Sequence, residues 1–174
     1  MLSQKLHEAL NAQINAEMWS AYLYLSMSAD AEAKGLKGIA SWFYVQFREE
    51  QDHARIIMNY LLTREGKVTL RPIEAVRTEW ASPLEMFQDT LKHEKKVTEM
   101  INRLVSIAAE DHDYASSNML VWFVNEQVEE EETAREMIAA CEAVDGNKFG
   151  LYMLDKELSS RTYALAAPLS STEA

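Results

Sequence analysis

The stretch REEQDHA at positions 48–54 puts acidic residues and a histidine inside an apolar helical pattern. Apolar residues recur on both sides of it at spacings of three and four, as on a helix with one buried face. Glu50 falls on that face, and His53 follows three residues later, so both side chains leave the helix on the same side. A carboxylate buried without a partner is energetically costly, and a bound cation is the simplest way to balance its charge. Carboxylate and imidazole ligands together suit a divalent metal such as iron or manganese.

The same kind of interruption recurs in the other long helical segments. Glu17 lies in the apolar stripe of the first segment and Glu94 in that of the third. The fourth stripe is interrupted twice, by Gln127 and Glu130. From Glu17 to Glu50 is 33 residues, and the separation of Glu94 and Gln127 is also 33. The two halves are therefore similar to offset copies of one helical hairpin, which predicts a site for two metal ions on a pseudo-twofold axis.

The second copy differs from the first in its ligands. A shift of 77 residues carries Glu50 onto Gln127 and His53 onto Glu130, so the second pair has no histidine. We therefore expect two unequal metal positions, one with a nitrogen ligand and one with carboxylates alone.

Four long segments of helical periodicity and one short segment fill most of the chain. Glycines end the first, second and fourth, and Ser82-Pro83 has the form of a helix start. We predict helices over residues 3–34, from 36 or 39 to 65, and over 83–110, 114–144 and 151–162. The connector at 67–81 is too long for an ordinary bundle turn, and it can run up the outside of the bundle. The predicted fold class is all-α, a four-helix bundle with one long crossover and a short fifth C-terminal helix.

Length and composition limit the classes of function. The chain has 174 residues and a net charge of −11, which indicates one domain and argues against nucleic-acid binding. The single cysteine, Cys141, excludes an internal disulfide and a cysteine-based zinc or iron–sulfur site. No apolar run suffices for a membrane span, and the first residues lack the apolar core of a signal peptide. We expect one domain at 1–162, a flexible tail at 163–174, no membrane partner and a cytoplasmic location.

Several motifs fall on these segments in a fixed order. They are Glu17 with Tyr24, the stretch at 48–54, HEK at 93–95, NEQVEEE at 125–131 and GLYMLDKEL at 150–158. Together they resemble the ferritin family, and most closely its non-haem bacterial members, over about residues 2–161. The resemblance implies a ferritin-like bundle that carries a di-iron ferroxidase centre.

This resemblance also implies roles for the residues of the centre. Five of them would be iron ligands, with Glu50 bridging the two ions: Glu17, Glu50, His53, Glu94 and Glu130. Two further residues would assist catalysis. Gln127 would sit beside the second iron, and Tyr24 would hydrogen-bond Glu94 or donate an electron.

A third iron site is implied next to the centre. It would use Glu49, Glu126 and Glu129 and would share Glu130. Trp122 resembles a family tryptophan that lies close to the centre and donates electrons. Haem is not expected, because Asp52 stands where bacterioferritins have their methionine ligand.

The function implied by the resemblance is iron storage. Fe²⁺ would be oxidised to Fe³⁺ with O₂ or H₂O₂, and the ferric oxide mineral would be held inside a homo-oligomeric shell of 24 subunits with cubic symmetry. The acidic charge of the chain suits a shell that attracts cations.

Other interpretations stay open at this point. The chain could be a small ferritin-like di-iron oxidase or peroxidase that does not store iron, a miniferritin of the DNA-protecting type, or a structural subunit with a vestigial site. The third-site carboxylates Glu49, Glu126 and Glu129 could instead be solvated helix surface. Tyr24 and Trp122 could be ordinary core aromatic residues.

Overall fold

The structure, a computed structural model, describes residues 2–170, and over that range it contains helices and no strand. In chain order the helices are α1 Gln4–Ala33, α2 Lys37–Thr63, α3 Pro83–Glu110, α4 Tyr114–Ala143, α5 Lys148–Leu158 and α6 Ala167–Ser170. The predicted all-α class, with four long helices, a long crossover and a short fifth helix, is confirmed. Within the described range, every helix is too short or too polar to cross a membrane.

Local capping explains where the helices begin and end. Ser3 and Ser82 accept hydrogen bonds from backbone N–H groups in the first turns of α1 and α3, as N-caps do. The fifth helix begins three residues before the predicted start at 151, because the Asn147 side chain caps it by accepting from two backbone N–H groups. At the end of α2 the left-handed residue is Glu65, with φ 58°, rather than the following glycine.

The crossover between α2 and α3 runs alongside α1 from its start to its end. Near the start of α1, the Asn11 amide bonds the backbone at both Lys67 and Thr69. Near the end of α1, the backbone N–H of Trp80 donates to Asp30. Because the crossover runs parallel to α1, the chain enters α3 near the end of α1, and α3 is antiparallel to α1. The four helices that bear the carboxylates therefore meet at mid-length.

The apolar core is divided into two clusters. One contains Leu6, Leu10 and Ile14 with parts of α2, α3 and α4, and the other centres on a group of aromatic rings that includes Phe43 and Phe87. Between them lies a layer of buried polar side chains: Gln13, Glu17, Gln46, Glu50, His53, Glu94, Gln127 and Glu130. The metal centre predicted from the sequence falls in this layer.

The segment after α5 lies against the bundle as far as it is described. The Tyr163 hydroxyl donates to Asp52 at 2.6 Å, and Leu169 of α6 is buried in the first apolar cluster. Residues 171–174 of the predicted flexible tail lie outside the described residues. The flexibility of the tail and the domain boundary at 162 stay predictions.

Close packing of α5 on the start of α2 gives a test of the fold. A Cβ atom at Gly38 would lie 1.5 Å from the backbone oxygen of Asp155. Alanine normally favours a helix over glycine by up to about 1 kcal/mol. The clash outweighs this preference, because overpacking costs about 1–3 kcal/mol. We therefore expect Gly38→Ala to lower the melting temperature measured by circular dichroism, and an equal or higher melting temperature would contradict this packing.

Candidate metal centre

Glu17, Glu50 and His53 converge in the buried polar layer from α1 and α2. One ligand atom from each lies within 4.8 Å of the others, a spacing that one metal ion can bridge. His53 Nδ1 is 3.4 Å from Glu50 Oε2. The three-residue spacing on α2 therefore places the imidazole and the carboxylate together as the sequence predicts.

Glu17 has one satisfied and one unsatisfied oxygen. Its Oε1 accepts a hydrogen bond of 2.9 Å from the Gln13 amide, one helical turn earlier. Its Oε2 is buried and, among residues 2–170, finds no hydrogen-bond donor. A buried carboxylate oxygen without a donor is costly, so this atom is a natural ligand for a cation.

Glu94 faces this group from α3 and is held by two neighbours. The Tyr24 hydroxyl of α1 donates to Oε1, and the Gln127 amide of α4 donates to Oε2 at 3.1 Å. Tyr24 and Gln127, the two residues that the resemblance implies assist catalysis, therefore both contact Glu94. Burial, followed by the charge of Glu94, raises the pKa of Tyr24 well above its ordinary value, so this phenol keeps its proton and remains a donor.

Glu130 completes the layer from α4. Its Oε2 accepts a hydrogen bond of 2.6 Å from the Gln46 amide of α2. His53, Glu126 and Glu130 form a second group whose ligand atoms lie within 4.8 Å of one another. His53 thus stands between two possible cation positions, with its two ring nitrogens directed at different carboxylates.

Burial and mutual repulsion dominate the electrostatics of the centre. Burial raises the pKa of Glu50 and Glu130 well above the ordinary 4.5, and the charge of Glu94 raises both further. Burial also raises the pKa of Glu17, although His53 and Gln13 partly oppose this. Among the described residues, no buried polar side chain is a lysine or arginine. The layer therefore concentrates carboxylates with one histidine and without a lysine or arginine partner.

The three predicted third-site carboxylates differ in their surroundings. Glu126 Oε1 lies 4.0 Å from His53 Nε2, at the edge of the centre. Glu49 instead forms an ion pair of 2.6 Å with Arg161, from the segment after α5. Glu129 is exposed on α4. The structure thus brings Glu126 to His53 and Glu130, directs Glu49 to an arginine, and leaves Glu129 at the surface.

Trp122 contacts the centre through His53, whereas His93 makes its contacts elsewhere. The Trp122 ring packs edge-on against His53 with 5.4 Å between centroids, close to the centre as the resemblance implies. On the other side, His93 bonds Ser20 at 2.7 Å and packs on Trp19 at 5.2 Å. The contacts of His93 are with protein groups outside the carboxylate layer.

Sequence reasoning assigned no role to three residues that hold the centre together. Gln13 and Gln46 are buried amides on the same faces as the ligands, so their positions in the apolar stripes were a usable signal. Arg161 carried no such signal, because it lies 112 residues from Glu49 and outside the four long helices.

Comparisons with known proteins agree with this geometry. Residues 7–144 match the ferritin-like domain family. A bacterial non-heme ferritin of Bacteroides fragilis is 40% identical over 161 residues, covering 92% of this chain and all of that protein. One of Staphylococcus aureus is 37% identical over 163 residues, covering 94% and 98%. The structure of an open pore ferritin from the archaeon Archaeoglobus fulgidus is similar with a TM-score of 0.92 and 44% identity, covering 93% of this chain and 100% of that one.

The raised carboxyl pKa values make the stability of the metal-free protein depend on pH. A carboxyl group whose pKa is higher in the folded state contributes stability that is fully present below its unfolded value, 4.5 here, and is lost as pH rises through the folded value. We expect the melting temperature to fall as the pH rises above 4.5 in the presence of a chelator. Glu50→Gln should flatten this fall, because it removes one of these groups.

The matched control is Glu132→Gln. It removes an exposed carboxylate from α4, one of the four long helices. It should keep the original slope of melting temperature against pH. The lowered pKa of Asp113, about 2 beside Arg64, acts in the opposite direction but below this pH range. Equal slopes in both variants would contradict the assigned electrostatics.

Proposed function

Because the chain belongs to the ferritin family, whose function is iron storage, we propose that it oxidises Fe²⁺ to Fe³⁺ in the buried carboxylate layer and stores the ferric product inside a closed shell. The proposed ligands are Glu17, Glu50, His53, Glu94 and Glu130. Fe²⁺ is the substrate, and O₂ or H₂O₂ is the electron acceptor.

One observation carries the proposal: the layer holds four buried carboxylates with one histidine and no lysine or arginine, and one oxygen of Glu17 has no hydrogen-bond partner among the described residues. Such an arrangement is unfavourable in an apolar bundle unless cations enter it. Oxygen ligands with one imidazole fit iron, which accepts both. The group of Glu17, Glu50 and His53 supports one position with nitrogen and oxygen ligands, and the second position is proposed to use the carboxylates of Glu50, Glu94 and Glu130.

Bound iron supplies the redox chemistry, since two Fe²⁺ ions release one electron each and the electron pair reduces O₂ to H₂O₂ or H₂O₂ to water. The protein contributes position and exclusion of solvent. Amide donors from Gln13, Gln46 and Gln127 each hold one carboxylate oxygen, so the ligands stay oriented when no cation is bound. The apolar clusters above and below keep bulk water away from the centre.

Tyr24 and Gln127 are proposed to assist catalysis through Glu94. Both donate to this carboxylate, so they set which of its lone pairs face the centre. The position of Tyr24, one hydrogen bond from a ligand, also suits the donation of an electron. Trp122, packed on His53, suits the same role.

A third iron site is proposed next to the centre, with ligands from Glu49, Glu126, Glu129 and the shared Glu130. The second carboxylate–imidazole group of His53, Glu126 and Glu130 supports it. An ion there would lie on the Nε2 side of His53, whereas Nδ1 faces Glu50.

Storage requires a closed container, so assembly is part of the proposed function. We propose a homo-oligomer of 24 subunits with cubic symmetry, located in the cytoplasm. The exposed apolar residues Phe149, Tyr152 and Met153 on α5 support contacts between copies through this helix. The net charge of −11 per chain supports attraction of cations to the assembly.

Removing ligands tests the oxidation step. Glu50→Ala and His53→Ala should each slow the initial oxidation of Fe²⁺ by about tenfold or more, since even residues that only support metal ligands change activity by that factor. Stopped-flow absorbance would measure the rate, and size-exclusion chromatography would check that the assembly is intact. Glu132→Ala, an exposed change on α4, should keep the original rate. Unchanged rates in both ligand variants would overturn the assigned centre.

Iron loading in air distinguishes storage from simple oxidation. A storage protein should keep taking up iron far beyond the capacity of its binding sites, and the iron should elute with one large particle. Size-exclusion chromatography combined with iron quantification measures both properties. A small oligomer that saturates at two or three irons per chain would instead favour the di-iron oxidase or peroxidase.

A further inference from the structure

The segment between α5 and α6 lies across α2 directly beside the carboxylate centre. We call residues 159–166 the C-terminal strap. Its Arg161 guanidinium makes three hydrogen bonds to α2: to the Trp42 carbonyl at 3.2 Å, to Gln46 Oε1 at 2.8 Å and to Glu49 Oε2 at 2.6 Å. The same guanidinium packs over the Trp42 ring at 4.5 Å. Arg161 is therefore fixed in one orientation by a polar and an aromatic contact.

The rest of the strap is fastened to the next turns of α2. Tyr163 donates to Asp52 at 2.6 Å, and its ring lies 3.6 Å below the Arg48 guanidinium. The backbone N–H of Ala166 donates to the same Asp52 carboxylate at 3.3 Å. These contacts hold the chain on both sides of Arg161 and keep its charge next to Glu49.

Arg161 is connected to a proposed ligand of the centre through one amide. Gln46 accepts from Arg161 through its oxygen and donates to Glu130 through its nitrogen at 2.6 Å. An amide has only these two ends, so the contact with Arg161 fixes which end faces Glu130. Arg161 thus acts on both Glu49 and Glu130, the two carboxylates on either side of the proposed third site.

We propose that Arg161 is a tethered cation that occupies the Glu49 carboxylate and competes with a third metal ion for it. This inference rests on the proposed function, because it concerns the third iron site. The guanidinium supplies the positive charge that Glu49 needs when no metal is present, and a metal ion must displace it to bind Oε2 of Glu49. The pair is 26% and 23% exposed, so solvent reaches it and the arginine can move aside.

The competition has a functional consequence. A third ion that must displace Arg161 binds more weakly than the carboxylates alone would allow, so it leaves more readily. The two ions of the buried centre have no such competitor among the residues described, since the buried layer contains neither lysine nor arginine. The strap therefore sets a difference in affinity between the centre and the third site.

Equilibrium binding of Zn²⁺ to the metal-free assembled protein, followed by calorimetry without oxygen, tests this inference. Zn²⁺ does not change oxidation state, so the readout is independent of iron oxidation. Arg161→Gln should tighten the third, weakest of the resolved binding steps by about two- to fivefold, as expected for removal of a partly exposed ion pair. Arg161→Lys keeps the charge, so its affinity in the third binding step should stay closer to that of the original protein than the affinity of Arg161→Gln does.

Two further variants make the result specific. Arg135→Gln removes an arginine that pairs with Glu131 at 3.2 Å on α4, outside the proposed sites, and should leave the third step unchanged. Glu49→Gln combined with Arg161→Gln should abolish the gain in affinity of the third step, because the carboxylate that would bind the metal is then missing. Size-exclusion chromatography verifies that every variant is assembled.

The outcomes separate this inference from the proposed function. If the two tight steps persist and the third does not respond to Arg161→Gln, or becomes weaker, Arg161 is not a competitor. A gain that survives in the Glu49 double variant would also overturn the inference. If the original protein shows no tight steps, the proposed centre fails, and the inference built on it fails with it.

Discussion

Negative charge buried halfway along the four long helices is the constraint on which the rest of the structure depends. Glu17, Glu50, Glu94 and Glu130 lie in one layer, each on a different helix, and burial raises the pKa of three of them. A soluble bundle would ordinarily fill these positions with apolar side chains. This chain instead supplies neutral amide or phenol donors to Glu17, Glu94 and Glu130, and among the described residues it buries no lysine or arginine beside them.

The architecture can tolerate such a layer because the apolar core is divided around it. Each cluster joins residues of several helices on its own side, so the bundle is held together both above and below the polar level. The crossover along α1 contributes by making α3 antiparallel to α1, which brings Tyr24 against Glu94. The same antiparallel relation between α2 and α4 brings Gln46 against Glu130.

Much of this arrangement was predictable from sequence, and the reason is geometric. Helical periodicity decides which side of a helix Glu50 and His53 occupy, and the equal 33-residue separations place the four interruptions at one level. Asn147 is a residue type that favours helix N-caps, so the early start of α5 was also predictable from local sequence. By contrast, nothing local identifies Arg161 as the partner of Glu49, since that pairing depends on the path of the chain after α5. Hydrogen-bond directions of Gln13 and Gln46 likewise depend on which neighbours the folded bundle supplies.

The raised carboxyl pKa values have a consequence for how the centre fills. Groups such as Glu50 and Glu130 hold protons more tightly in the fold than in the unfolded chain, so an empty centre retains hydrogen ions that ordinary carboxylates would already have given up. Uptake of a cation is then an ion exchange, in which hydrogen ions leave as metal arrives. A lower pH therefore opposes metal binding by mass action. The pH around the protein would then help to determine how much metal the centre retains.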